Sequence, residues 1–358
     1  MRTPLPTLLV IGVLTWNLSA ATWPDADWPT AEAGAVGLSA SRLAEAREYA
    51  LTGGGSGVII HQGHAVMRWG DPATLYDLKS TSKSIGVMVL GLALKDGLVE
   101  LDDPARQHHP AFGTPPDSNA DTGWLDQITL RQLANQTAGF EKPGGYTKLM
   151  FPPGTRWHYS DGGPNWLAEC LTLRYERDLN EVLFDRVFTP LGIAPGDIRW
   201  RKHAYRPDEI EGIKRREFGS GFHANVDAMA RIGYLHLRGG RWKDEQILPA
   251  EFIDAIREQT AGLAKLPVQD PDNHDNASSH YGLLWWNNAD GSLAGVPRDA
   301  MWSWGLYDSL IVVIPGPDLV VARAGKSWKR DPDASHYDVL KPFLEPIAAA
   351  AGFTAEAP

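Results

Sequence analysis

Ser80 and Lys83, three positions apart, are the residues whose types and spacing first suggest chemistry. Positions i and i+3 share a face of a helix, so the Ser80 hydroxyl and the Lys83 amine can meet. An adjacent amine activates a serine hydroxyl as a nucleophile by handling its proton. This is the only Ser-x-x-Lys in the chain. The residues that follow, Ile85 to Leu94, are apolar nearly all round, the pattern of a helix buried in a sizeable domain. A polar pair at the mouth of a buried helix breaks the local pattern, and such breaks point to function. The competing account is that Ser-x-x-Lys arises by chance about once in a chain of this length. In that account Ser80 is simply a helix N-cap.

An amine-activated serine also needs a second proton-handling group and donors for an oxyanion. Tyr159-Ser160-Asp161 lies in a Gly-rich loop entering a helix, where a tyrosine hydroxyl can be displayed. Ser303-Trp304-Gly305 precedes a C-terminal hairpin, at what should be a strand edge. Glycine there lets a substrate approach backbone N–H groups. The N–H groups of Ser80 and Leu306 are the expected oxyanion donors. Other chemistries find little support. Gly325-Lys326-Ser327 has the end of a phosphate loop, but Val320 stands where that motif needs glycine. There is no Gly-x-Ser-x-Gly elbow. The eleven histidines include no His-Glu-x-x-His, and His108-His109 is poor ligand spacing, so no metal or other cofactor is expected.

These residues need a scaffold. Ser39 or Ser41 caps a helix running to about Leu51. Val58–His61 and Ala65–Trp69 flank a Gly turn and form a hairpin. The Ser80 helix then runs to Gly97, a residue suited to the position just past a helix end. From about 100 to 290 the pattern is mostly helix and loop, with the loop of 264–280 rich in Asp, Asn and Pro. Strands return at Ser309–Ile314 and Leu319–Arg323, and a helix covers about His336 to Ala350. The economical fold is α+β: one antiparallel sheet built from both chain ends and flanked by helices, with a mostly helical insertion. Residues 22–84 and 291–358 make the sheet part and 85–290 the helical part.

The 358-residue length suits two such parts. Arg2, the apolar run Leu5–Trp16 and the small residues Ser19-Ala20-Ala21 read as an export leader over residues 1–21, which implies a periplasmic or secreted protein. The run is short for a membrane span, so no stable membrane insertion is expected once the leader is cut. Losing Arg2 with the leader takes the formal net charge from -10 to -11. Such an acidic chain is a poor partner for nucleic acid or anionic membranes. The single cysteine, Cys170, has no internal disulfide partner and reads as a small core residue.

Taken together the motifs resemble serine hydrolases related to class C β-lactamases, the penicillin-binding D-Ala-D-Ala peptidases, and their esterase and 6-aminohexanoate-dimer hydrolase relatives. The resemblance runs from about residue 35 to 350. It rests on Ser80-Thr-Ser-Lys83, Leu98-Val-Glu-Leu-Asp-Asp-Pro104, Ile128-Thr-Leu-Arg-Gln-Leu-Ala-Asn-Gln-Thr-Ala-Gly139, Pro153-Gly-Thr-Arg-Trp157, Tyr159-Ser-Asp161, Pro190-Leu-Gly192 and Tyr281-Gly-Leu-Leu-Trp285. It implies Ser80 as nucleophile, Lys83 as its partner in proton transfer, Tyr159 as a second acid/base group, and an acyl-enzyme formed without a metal. Two positions depart from the family pattern. Asp161 stands where an asparagine is usual, and an ionised carboxylate cannot donate to a substrate carbonyl. It can instead pair with Lys83 and favour its charged form. Ser303 stands where the third box carries a lysine or histidine that helps hold a substrate carboxylate. Arg298, Arg323 and Lys326 are the candidate cations to replace it. With Asp161, Ser303, Trp304, Gly305 and Leu306 as the substrate-binding set, the expected substrate is a small ester or amide rather than a β-lactam. The alternatives are a β-lactamase or D-Ala-D-Ala carboxypeptidase, and a non-catalytic ligand-binding relative.

Overall fold

A computed structural model describes residues 21–257 and 262–354. The leader expected over residues 1–21 lies outside the described residues but for Ala21. Helix α1 (Ala40–Thr52) begins where Ser39 accepts the Arg42 N–H at 3.4 Å. The hairpin of β1 (Ser56–His61) and β2 (His64–Trp69) follows, then α2 (Thr81–Gly86) and α3 (Met88–Lys95). The middle of the chain supplies α4 (Gly162–Tyr175) and α5 (Val226–Leu237). Strands β3 (Tyr281–Gly282), β4 (Trp285–Asn287), β5 (Met301–Trp304), β6 (Leu310–Ile314) and β7 (Leu319–Ala324) come next, and α6 (Lys341–Ala350) follows them.

These seven strands form one antiparallel sheet in the order β3-β4-β5-β6-β7-β1-β2. The two chain ends meet where β1 pairs with β7, Ser56 opposite Ala324 and His61 opposite Leu319. β1, β6 and β7 are buried along their whole length because helices cover both faces. On one face Phe343 of α6 closes on Trp69 and Trp328, ring centres 6.4 and 5.2 Å away. On the other, α5 comes so near that a Cβ at Gly233 would stand 2.6 Å from Val320 and 2.9 Å from Ile311. The apolar runs Leu310–Ile314 and Leu319–Ala322 fit a sheet with both faces covered, where alternation has nothing polar to alternate with.

The α+β architecture with a sheet from both chain ends is therefore present, with three differences of detail. The sheet begins at Tyr281, so β3 and β4 come from the stretch expected to be helical insertion. Helix α5, from the same stretch, covers a sheet face. Strands of two and three residues are too short to display a period of two, which is why the sequence hides them. The Ser80 helix is also two pieces: Val87 separates α2 from α3, beside Gly86, where a Cβ would meet Phe218 at 2.6 Å. Gly97, at φ +66°, follows the end of α3 as expected. Cys170 is buried and unpaired in α4. Among the described residues no helix is long and apolar enough to cross a membrane.

Candidate active site

The start of α2 is polar yet largely buried, and its hydroxyls are spoken for. Thr81 Oγ1 donates to Ser309 O at 2.7 Å and Ser84 Oγ to Leu284 O at 2.7 Å, while Ser82 Oγ accepts the Phe222 N–H at 3.0 Å. Ser80 is the exception. It occupies the N-cap position, but its side chain makes no capping bond. Lys83 Nζ donates to its Oγ at 3.1 Å instead. The simple capping account of Ser80 therefore fails. Lys79, just before it, is left-handed at φ +50°; Asp77 holds that turn by accepting the Lys79 N–H at 3.1 Å and pairing with Nζ at 2.6 Å.

Lys83 is 1% exposed. Its ammonium has three protons and three acceptors: Ser80 Oγ, Gly219 O at 3.0 Å, and Asp161 Oδ1 in close contact. Asp161 uses its other oxygen to accept from Lys142 Nζ at 2.6 Å. Burial acts to raise the Asp161 carboxyl, but Lys83 and Lys142 outweigh it and hold the group below the usual carboxylate range. The departure from asparagine at this position thus comes with a second lysine. One carboxylate stands between two ammonium groups, so the three side chains together carry no net negative charge.

Tyr159 sits on the same loop. Gln136 clasps that loop by its amide, donating to Ser160 O and accepting the Ser160 N–H, both at 2.9 Å. Lys83 Nζ, which donates to Ser80 Oγ, lies 4.8 Å from the centre of the Tyr159 ring. Burial pushes the phenol up to about 12, Lys142 pulling it down and Asp161 raising it. Tyr159 therefore holds its proton at neutral pH. Trp286 and His274 stack on its ring at 5.7 and 5.3 Å, and His336 links His274 to Trp304 at 5.3 and 4.6 Å. This makes an aromatic wall at one side of the cleft.

Across from it, the turn after β5 approaches α2. A Cβ at Gly305 would stand 2.1 Å from Leu78 O and 2.3 Å from Ser309 Oγ, so only glycine allows this approach. The Leu306 side chain is exposed. Among the described residues neither the Ser80 nor the Leu306 N–H has a protein acceptor, as oxyanion donors require. Asp308 and Arg323 fix the turn from behind. Asp308 accepts from Trp304 Nε1 and the Trp328 N–H, each at 2.8 Å. Arg323 donates to Tyr307 O at 2.8 Å and Asp308 O at 3.0 Å.

Of the residues expected from sequence, Ser80, Lys83, Tyr159 and Asp161 come together, and Gly305 packs against Leu78, two residues before Ser80. Ser303 does not offer its hydroxyl to a substrate: Oγ is buried, accepting the Ile311 N–H at 2.8 Å and contacting Thr81 Oγ1 at 3.3 Å. Trp304 is nearly buried behind the aromatic wall. Arg323 lies under the turn, Arg298 donates to Ala289 O, and Lys326 is exposed. None of the three is seen replacing the missing cation. Sequence reasoning passed over Lys142, Gln136, Asp308 and the buried Glu217, which lies two residues before the carbonyl that holds Lys83. Among the described residues no three His, Cys, Asp or Glu side chains gather as if for a metal ion.

Comparison with known proteins agrees with this fold. The family model described as Beta-lactamase matches residues 42–341. An uncharacterized protein of Alkalihalophilus pseudofirmus is 22% identical over 293 residues, 75% of this chain and 79% of its own length. A proposed 6-aminohexanoate-dimer hydrolase from Bacillus anthracis superposes with a TM-score of 0.68 at 17% identity, covering 92% of this chain and 89% of that one. A family VIII carboxylesterase does so with a TM-score of 0.66 at 16% identity, covering 88% and 99%. With the match spanning most of the chain and the serine, lysine and tyrosine standing together, the protein belongs to the beta-lactamase family of serine hydrolases.

Proposed function

We propose that the protein is a secreted hydrolase that cleaves small esters or amides through an acyl-enzyme on Ser80. The observation that carries this is the Ser80 hydroxyl, which accepts from the buried Lys83 Nζ at 3.1 Å beside the Tyr159 ring, with the N–H groups of Ser80 and Leu306 left without protein acceptors among the described residues. Ser80 Oγ attacks the substrate carbonyl carbon, and its proton passes to the Tyr159–Lys83 pair. The carbonyl oxygen takes the developing charge against the two N–H groups. As the bond to the leaving oxygen or nitrogen breaks, the pair returns the proton to that atom. A water then attacks the Ser80 ester, its proton following the same route to Ser80 Oγ as the acid departs. In the resting site Lys83 donates all its protons and Tyr159 keeps its own, so the pair works as a base only after losing one proton to solvent. Acylation should therefore quicken as pH rises.

The names of the structural neighbours, a hydrolase and a carboxylesterase, support the ester or amide reading. The buried Ser303 hydroxyl supports esters over β-lactams, because the third-box position offers no cation to a β-lactam carboxylate. The leader pattern of residues 1–21 supports secretion. The test is a fluorophosphonate probe with intact-mass readout, beside turnover of a short p-nitrophenyl ester and of nitrocefin. Ser80→Ala should abolish the label and ester turnover and leave the thermal melt nearly unchanged. A label that persists or maps to another serine defeats the assignment, and efficient nitrocefin turnover defeats the substrate reading.

A further inference from the structure

A second lysine stands at the mouth of the cleft, and the hydrolytic cycle has no step for it. Lys142 Nζ is 2.6 Å from Asp161 Oδ2 and 4.9 Å from the centre of the Tyr159 ring. Side-chain exposure rises outward along the cluster, from 1% at Lys83 through 25% at Asp161 to 48% at Lys142. Lys83 has spent its three protons on protein acceptors. Lys142 has spent one, on Asp161, and among the described residues its Nζ has no second acceptor. Glu141, its neighbour, accepts the Lys148 N–H at 3.3 Å instead. The inner lysine and the carboxylate cancel, which leaves the outer ammonium as uncompensated charge with donors free toward solvent. The facing wall supplies no rival: Ser303 is uncharged and buried, and Lys79 is neutralised by Asp77 at 2.6 Å.

We propose that Lys142 is a specificity-determining residue that binds a free carboxylate on the substrate, which makes the preferred substrate class short hemi-esters or hemi-amides of dicarboxylic acids. The inference rests on Ser80 being the reacting residue. Three successive contacts, Lys142 to Asp161 to Lys83 to Ser80, separate the free donors from the nucleophile, so the spacer between carboxylate and scissile carbonyl is short. The carboxylate binds from the loop that carries Lys142, not from the strand that carries Ser303. An ammonium–carboxylate hydrogen bond is stronger than a neutral one and geometrically undemanding for lysine.

The experiment is calorimetric titration of the Ser80→Ala protein with monomethyl glutarate and with its neutral counterpart, dimethyl glutarate. The anion should bind about tenfold more tightly, and added salt should weaken the anion alone. Lys142→Met in the same background should remove the preference while dimethyl glutarate binds as before, and Lys142→Arg should retain most of it. Binding needs no turnover, so a protein that fails to hydrolyse esters or to take the fluorophosphonate label still gives a readable answer here. Equal affinity for the two ligands, no measurable binding of either, or a preference that survives Lys142→Met overturns the proposal. So does an equal loss of both ligands in Lys142→Met with no rescue by Lys142→Arg, which is what a lysine that only neutralises Asp161 would give.

Discussion

Replacing Asp161 by Asn isolates what its charge does to the proton-transfer pair. The amide keeps the shape and an acceptor oxygen for Lys83 but carries no charge. In the wild type the group stays ionised, because Lys83 and Lys142 outweigh the effect of burial. That carboxylate adds to the burial that pushes the Tyr159 phenol up to about 12, and it contacts the Lys83 ammonium directly. The sign follows from the charges. With the anion gone and two lysines left, removing a proton from the Tyr159–Lys83 pair becomes easier. At an effective dielectric of ~20, unit charges roughly 3 Å apart interact by about 5 kcal/mol. Desolvation takes back part of this, and loss of such a partner typically moves a titration by ~1–3 pH units. The assay is kcat/KM for a p-nitrophenyl ester from about pH 5 to about pH 10, where the rising limb reports the free enzyme's base. Asp161→Asn should move that limb to lower pH by at least ~1 unit, even if the plateau falls because Lys83 is less well oriented. Since the rate below the limb changes tenfold per unit, activity at neutral pH should drop less than the plateau does. A limb that stays in place or moves upward, in a variant that melts like the wild type, refutes the reasoning.

Two further outcomes follow from packing and burial. Gly305→Ala puts a Cβ 2.1 Å from Leu78 O, so the backbone must shift and carry the Leu306 N–H with it; ester turnover should fall ~10²–10³-fold, the loss typical of one oxyanion donor, and a change within about twofold would remove Leu306 from that role. Burial pushes the Glu217 carboxyl up to about 7 although Arg201 acts against it. The folded chain then keeps a proton that the unfolded chain releases, so Glu217 stabilises the fold fully below the ordinary value of 4.5 and loses that contribution as pH rises through about 7. Wild type should lose up to ~3 kcal/mol relative to Glu217→Gln across that window, read from denaturant midpoints, and parallel profiles for the two proteins count against it.

The grouping of the candidate site's residues was readable where they lie in short motifs, and hidden where it is made by contact between distant segments. Ser80 and Lys83 share a helical turn, so their spacing alone brings them together. Tyr159 and Asp161 flank a helix entry, where loop glycines mark a displayed backbone. Lys142 is nineteen residues from the carboxylate it pairs with, in a Pro-Gly loop without periodicity, and nothing in the local pattern joins the two. Arg323 shows the opposite failure. A cation in an apolar strand invites a functional reading, but in a sheet covered on both faces the alternation cannot say which way it points. It points under the β5–β6 turn, where it holds carbonyls rather than substrate. Ser303 failed for the same reason: the motif position is right, yet its hydroxyl belongs to the ladder with Ile311. The sheet from both chain ends was legible because its long strands are β-branched runs next to tight turns, whereas β3 and β4 are too short to leave a period.

The pairing of β1 with β7 also sets an order of events during synthesis. Ser56 and its partner Ala324 are separated by most of the chain, so this contact is strongly non-local. At a translation rate of ~5–20 residues per second, β1 leaves the ribosome on the order of 15–50 s before β7 exists. Throughout that interval the Val58–Ile60 segment presents an open apolar edge of the kind that invites wrong partners, and chaperones are the usual answer. Ser80 and Lys83 are translated early and can form their helical turn while the chain is still growing. Their counterpart, the Leu306 N–H, is braced by Arg323 in the last strand to arrive. The growing chain thus carries Ser80 and Lys83 for most of its synthesis without the turn at Leu306, and the candidate site is complete only when the sheet closes.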